Sequence, residues 1–135
     1  MKSKVFSLFI TSTVLSVGVI ISALPLFAIP MQEITGKTGG KVNSGDCGYI
    51  SSQPNHIINL SQKSYKLNVR LQASGGKPTL LIIGPKSNDR FCILGDVGAG
   101  KLPEMKGVWT AGQYKIYVGE AEGAEFPFTL TITDK

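Results

Sequence analysis

The residues of this sequence best equipped for nucleophilic chemistry are two cysteines, Cys47 and Cys92, and one histidine, His56. A thiolate nucleophile needs a nearby imidazole to take its proton, and a serine nucleophile needs the same partner. His56 is the only histidine, and it follows Pro54-Asn55 at the start of a predicted strand, so we interpret it as structural or surface-exposed. No Gly-x-Ser-x-Gly turn occurs. We therefore expect that the protein is not an enzyme and has no catalytic residues.

The carboxylates could serve hydrolysis or a hard cation. Glycoside cleavage requires two carboxylates that face one another, whereas calcium accepts several carboxylate and carbonyl oxygens. Three glutamates crowd the segment before the last predicted strand, and two aspartates flank another hairpin. We interpret them as solvated acidic loops and expect no cofactor. The alternative is a calcium site that uses Asp89, Asp96, Glu120, Glu122 and Glu125.

The segment from Gly95 to Lys101 has the glycine and lysine spacing of a phosphate-binding loop. That motif requires Ser or Thr directly after the lysine, and a helix must follow. Here Leu102 follows the lysine, and Pro103 blocks the normal start of a helix. The segment is predicted to be a glycine-rich loop that binds no nucleotide.

Two aromatic residues offer a surface for a ligand. Tyr117 alternates with Ile116 and Val118 and is therefore predicted to face outward, while Trp109 lies beside a predicted turn. Aromatic rings of this kind can stack on a sugar, so Trp109 and Tyr117 are the candidate ligand-binding residues. The alternative for Trp109 is a place in the core.

The first 28 residues have the pattern of a secretory signal. Lys2 and Lys4 precede an apolar run, and the segment ends on Leu24-Pro25-Leu26-Phe27-Ala28, which suits cleavage. An uncleaved signal anchor is the alternative, because the apolar run is long enough to span a bilayer. We divide the chain into a signal peptide (1–28), a flexible entry segment rich in Gly, Lys, Thr and Ser (29–45) and one folded domain (46–135).

Export determines how the charge and the cysteines are interpreted. Loss of Lys2 and Lys4 lowers the formal net charge from +5 to +3, and the remaining basic residues are scattered, so nucleic acid is not an expected partner. Exported compartments are oxidising. Cys47 and Cys92 are therefore predicted to form a disulfide, with two buried free thiols as the alternative.

Alternating apolar residues indicate strands. Two segments alternate cleanly, Thr79 to Ile83 is a continuous apolar run typical of a central strand, and turn residues separate these elements. The predicted fold is an all-β antiparallel sandwich of two sheets. The last strand, Phe126 to Thr133, is predicted to be an edge open to strand addition. The inward residues are Tyr65, Leu67, Val69 and Leu71 in one segment and Phe126, Phe128, Leu130 and Ile132 in the other.

The segment Trp109 to Gly119, followed by Phe128-Thr129-Leu130-Thr131-Ile132, resembles the closing half of bacterial pre-peptidase C-terminal (PPC) domains. These are jelly-roll-like β-sandwiches appended to secreted enzymes. The resemblance covers about Tyr49 to Thr133 and implies a stand-alone version of such a module. Thr79, Leu80 and Leu81 stand where the family often has Asp, and the entry segment is basic, so the family's calcium chemistry does not carry over.

These observations predict a secreted or periplasmic, non-catalytic binding or interaction module at the cell envelope. Its partner is expected to be a protein or polysaccharide of the envelope. The alternative is an inhibitor or stabilising accessory of an exported enzyme such as a protease, because the resemblance implies an enzyme as neighbour.

Overall fold

The structure, a computed structural model, describes residues 18–20 and 29–135. The predicted signal peptide lies outside the described residues except for 18–20. Within this part of the chain no helix is long and apolar enough to cross a membrane. The described residues form ten strands: β1 (Gln32–Lys37), β2 (Val42–Asn43), β3 (Tyr49–Ile50), β4 (His56–Leu60), β5 (Ser64–Ala73), β6 (Pro78–Ile83), β7 (Arg90–Leu94), β8 (Glu104–Trp109), β9 (Gly112–Glu120) and β10 (Pro127–Asp134).

The strands form two antiparallel sheets, which confirms the predicted all-β sandwich. Sheet A has the order β1-β10-β5-β8. Sheet B has the order β2-β3-β9-β6-β7, and β4 pairs with β9 beside β3. Every strand pairing is antiparallel.

The main core lies between the two sheets and follows from the alternation in the sequence. β5 and β10 each bury every second residue, as a half-covered strand should. The predicted inward positions are confirmed except for two aromatic residues. Phe126 is half-buried and precedes β10. Tyr65 is exposed, because a β-bulge between Ser64 and Leu67 shifts the register and turns it outward.

The prediction that residues 29–45 form a flexible entry segment is wrong, because this segment contains the two strands β1 and β2. β1 pairs with β10 over six residues, and Ile34 packs against the main core. The glycine content misled the sequence prediction. A Cβ at Gly36 would lie 2.9 Å from the ring of Phe128, so this glycine permits close approach of the strands and is not a sign of disorder. The sandwich therefore begins at Gln32, before residue 46.

The position of the last strand is a second correction. β10 was predicted to be an edge open to strand addition, but it lies between β1 and β5 and pairs with both. The sequence of β1 carries no strand pattern, and without β1 the strand β10 would have a free edge. Strand addition at β10 is thereby excluded.

The predicted disulfide between Cys47 and Cys92 is confirmed, with their Cα atoms 5.7 Å apart. It belongs to a small second core on the outer face of sheet B, with Ile50 and Leu81. The Thr79 hydroxyl also donates to the Cys47 carbonyl (2.7 Å). β6 is therefore covered on both faces, which explains its continuous apolar run.

We expect removal of the disulfide to destabilise the fold strongly. The bond closes a loop with a sequence separation of 45, for which the chain-entropy model gives about 4 kcal/mol. The double variant Cys47→Ser/Cys92→Ser should lose about this amount in urea unfolding. Reductant should destabilise the wild-type protein similarly and leave the variant unchanged. An unchanged unfolding midpoint in the double variant would contradict this prediction.

Candidate functional site

The predicted calcium residues do not form one cluster. Glu120, at the end of β9, is 2% exposed, and its carboxylate accepts hydrogen bonds from three backbone N–H groups. The donors are those of Lys77 (3.0 Å), Glu122 (2.7 Å) and Ala124 (2.9 Å). Since these donors converge on both of its oxygens, Glu120 organises the loop that follows β9.

The ionisation of Glu120 depends on these donors. Burial by itself would raise the pKa of Glu120, but hydrogen bonds from the surrounding backbone N–H groups, beginning with that of Lys77, outweigh burial and lower the pKa below its ordinary value of 4.5. The folded protein therefore holds this side chain as a carboxylate. Both oxygens of the Glu120 carboxylate accept hydrogen bonds from backbone N–H groups around the loop that follows β9.

The other four carboxylates do not join Glu120 in a metal site. Glu122 lies on the surface and pairs with the ammonium of Lys77 (2.7 Å), and this contact raises the pKa of Lys77. Asp96 accepts a hydrogen bond from the Ala99 backbone N–H (3.3 Å) and, like Glu122, helps to raise the pKa of Lys77. Glu125 is exposed. Asp89 accepts from the Lys86 backbone N–H in the β6–β7 turn. Across the described ranges there is no group of three or more His, Cys, Asp or Glu residues that could hold a metal ion.

The glycine-rich segment is a closed turn. A β-bridge joins Asp96 to Lys101, and further backbone hydrogen bonds run from Ala99 to Asp96 and from Gly100 to Val97. The next regular element is the strand β8, which begins at Glu104. The segment thus lacks the following helix that a phosphate-binding loop requires.

The two candidate aromatic residues do not form a shared platform. Trp109 is 3% exposed and belongs to the main core between the sheets. Tyr117 is half-buried and packs on the outer face of sheet B against the disulfide cluster. Trp109 therefore has no free ring face for stacking a sugar, and Tyr117 lies on the opposite side of sheet B.

Trp109 does line a cavity of about 170 Å³, which we call the seam pocket. The pocket lies where β7 of sheet B and β8 of sheet A run along the same side of the sandwich. Both strands are edges, since each pairs with a single neighbour. Its walls are mainly apolar, with one basic and one acidic residue: Lys86, Asp89, Phe91, Met105, Val108, Trp109, Thr110 and Tyr114.

Two tight turns hold the walls of the seam pocket. The rings of Trp109 and Tyr114 meet edge to face, with their centroids 4.8 Å apart. The Tyr114 hydroxyl donates to the Thr110 carbonyl (2.9 Å), which ties the β8–β9 turn to the ring. Pro85, in the β6–β7 turn, packs so closely on Gly112 that a Cβ there would lie 2.5 Å from it.

The seam pocket presents exposed apolar surface. Phe91 is 39% exposed, and Val108 is also exposed. The indole Nε1 of Trp109 has no hydrogen-bond partner among the residues that the structure describes, but it is buried and therefore closed to a ligand. The pocket is therefore suited to an apolar group.

Sequence reasoning found Trp109 but missed Phe91, Met105 and Lys86. Phe91 and Met105 are edge-strand residues in different sheets, so no spacing in the chain connects them. The exposed apolar character of β7 was the available signal, because an apolar edge strand is unusual.

Three other cavities, of about 220, 320 and 620 Å³, are larger than the seam pocket. In the first of them the Ser64 hydroxyl donates to the Asp134 carboxylate (3.0 Å), so these wall groups satisfy each other. We take the seam pocket as the candidate site because it includes Trp109, one of the two predicted ligand-binding residues, and borders the edge strand β7.

The comparisons with known proteins give one relative. No family model matches the chain, and no solved structure matches it. A Synechococcus elongatus protein, described as uncharacterised, is 37% identical over 110 residues, which cover 78% of each chain. The chain belongs to the family of this protein. Membership identifies a relative of similar extent and assigns no activity.

Glu120→Gln tests the role of the buried carboxylate. A lowered pKa in the folded state gives stability that is present above pH 4.5 and is lost as the pH falls toward the folded-state pKa. The variant should therefore lose about 1–3 kcal/mol at pH 7, and should lose less further stability than wild type on acidification. Urea unfolding at pH 7 and pH 3.5 measures both effects.

The matched control is Glu122→Gln, two residues away on the surface, which should change stability far less because its ion pair is solvent-exposed. Equal losses in the two variants at pH 7 would contradict the assigned role of Glu120.

Proposed function

We propose that this protein is an exported, non-catalytic binding module that recognises a protein or polysaccharide partner at the cell envelope through the seam pocket. The disulfide between Cys47 and Cys92 is compatible with export, because disulfides persist in oxidising compartments. The signal-like sequence of residues 1–28 supports the same location.

The observation that carries the proposal is the seam pocket with its exposed apolar walls, Phe91 and Val108, beside the open edge of β7. An apolar group that fills the pocket removes this surface from water, which is favourable by about 25 cal/mol per Å². Exposed apolar surface bordered by polar residues marks an interaction site.

Binding without catalysis is consistent with the chemistry of the pocket walls. Ser, Cys and His are absent from its lining residues, and its one carboxylate, Asp89, accepts a hydrogen bond within its own turn. Proton transfer to a substrate requires a positioned acid or base with a matching pKa. The walls supply apolar contact surface and one charge of each sign.

The size of the pocket limits the bound group. Sites for drug-sized ligands measure about 300–1,000 Å³, whereas the seam pocket measures about 170 Å³. It therefore takes one ring or one side chain of a larger partner. This agrees with a module that recognises a polymer or a protein surface.

The resemblance to PPC domains supports a module of this kind. Those domains are β-sandwiches that accompany secreted enzymes, and this protein would be a stand-alone version.

A second candidate function is an inhibitor or stabilising accessory of an exported enzyme such as a protease. One observation favours it: residues 98–101 are exposed at the tip of a turn that its own backbone hydrogen bonds close. A constrained exposed loop binds with little ordering cost. Under this alternative, Lys101→Ala would weaken binding to the enzyme and changes in the seam pocket would not.

Trp109 fluorescence tests the binding proposal, because the chain has a single tryptophan. Soluble peptidoglycan fragments and a heptapeptide pool are titrated separately into the mature protein. One of them should change the emission saturably, because a ligand in the seam pocket alters the surroundings of the Trp109 ring that lines it. Phe91→Ala should weaken that binding about fivefold or more, since it removes an exposed wall of the pocket.

The matched control is Tyr65→Ala, which removes another exposed aromatic ring, on β5 outside the seam pocket. It should bind as wild type does. Unchanged emission with both probes, or equal binding by Phe91→Ala and wild type, would refute recognition through the seam pocket.

A further inference from the structure

The outer edge of β7 has free backbone groups. β7 pairs with β6 alone among the described strands. Hydrogen bonds from Gly84 to Asp89 and from Gly95 to Pro78 bracket this pairing. Because hydrogen-bonded and non-hydrogen-bonded pairs alternate in an antiparallel ladder, Cys92 and Leu94 direct their N–H and C=O groups away from β6. These groups form a ready template for another strand.

β7 also lacks the charged side chains that usually protect a sheet edge. Its last four residues are Phe91-Cys92-Ile93-Leu94, and Leu94 is 62% exposed. Its one charged residue, Arg90, is engaged by the Asp46 carboxylate (2.6 Å). Two other edge strands, β8 and β1, present exposed charged residues such as Glu104, Lys106 and Lys37. β4 is a further edge without Lys, Arg, Asp or Glu, but it does not border the seam pocket.

The seam pocket lies directly beside this edge. An added strand would pair with Cys92 and Leu94 through its backbone, and its residue opposite Phe91 would stand in a close, non-hydrogen-bonded pair. Since Phe91 lines the seam pocket, that side chain would enter it. Main-chain bonds would give affinity and the pocket would give specificity.

A second copy of the chain fits this edge poorly. Antiparallel self-pairing over the full strand, centred on Cys92, places Ile93 of the copy opposite Phe91. Ile93 packs against the core of its own sandwich and is therefore not free to enter the seam pocket of the other copy. A pairing of five residues alone also buries far less than the roughly 1,200 Å² of a stable interface.

We propose that β7 binds an extended peptide segment of a partner protein by strand addition, with one apolar side chain inserted into the seam pocket. This inference rests on the proposed binding function and selects protein, not polysaccharide, as the partner.

The test uses heptapeptides selected from a phage-displayed library against the oxidised mature protein. The edge variant is Leu94→Pro, which removes an outward N–H and leaves the ladder to β6 intact. Its matched control is Lys106→Pro, which makes the same change at an outward position of the β8 edge. Circular dichroism and thiol titration verify that both variants fold with the disulfide formed.

Selected peptides should share one apolar position and bind wild type and Lys106→Pro equally. They should bind Leu94→Pro about tenfold more weakly, the cost of one or two main-chain hydrogen bonds. N-methylation of the peptide at the positions that face Cys92 and Leu94 should weaken binding similarly.

Selection of no peptide, or equal affinity for wild type and Leu94→Pro, would overturn strand addition at β7. A saccharide that changes Trp109 emission, with an affinity that Phe91→Ala lowers and Leu94→Pro leaves unchanged, would overturn this inference and preserve the proposed binding function. The absence of any saccharide or peptide response would reject both.

Discussion

The fold depends on covering both faces of β6. This strand is apolar along nearly its whole length, and its residues are buried from Pro78 to Ile82. Sheet A covers one face, as in any sandwich. The other face would be open to solvent in a plain two-sheet arrangement. The segment around Cys47 closes it, through the cluster with Leu81 and the hydrogen bond from Thr79.

The segment around Cys47 that covers β6 also fixes the position of β7. The disulfide joins the covering segment to Cys92, and Arg90 contacts both Asp46 and the Ser44 carbonyl. β7 is thereby held on its outer face without gaining a strand partner. An edge that is fixed in place loses little conformational entropy when another chain pairs with it. The same contacts that complete the fold therefore leave a preorganised strand edge.

The sequence predicted the elements whose burial alternates and missed those defined by contacts between segments that lie far apart in the chain. β5, β6 and β10 follow from alternation or from a continuous apolar run, and the cysteines, once export was assumed, could pair only with each other. β1 was missed because Gly36 is present for close approach to Phe128, a contact that no local pattern reveals. The seam pocket was missed for a related reason, since Phe91 and Met105 come together only because the edges of the two sheets lie side by side in the fold.

The contacts of Trp109 and Tyr114 make the seam pocket a rigid site. Their rings meet edge to face, and both are buried. The Tyr114 hydroxyl donates to the Thr110 carbonyl, so the β8–β9 turn is fixed to the ring. Phe91 and Val108, by contrast, remain exposed at the same pocket. A partner strand at β7 would therefore bury apolar surface that the fold leaves open, against walls that the fold already holds in place.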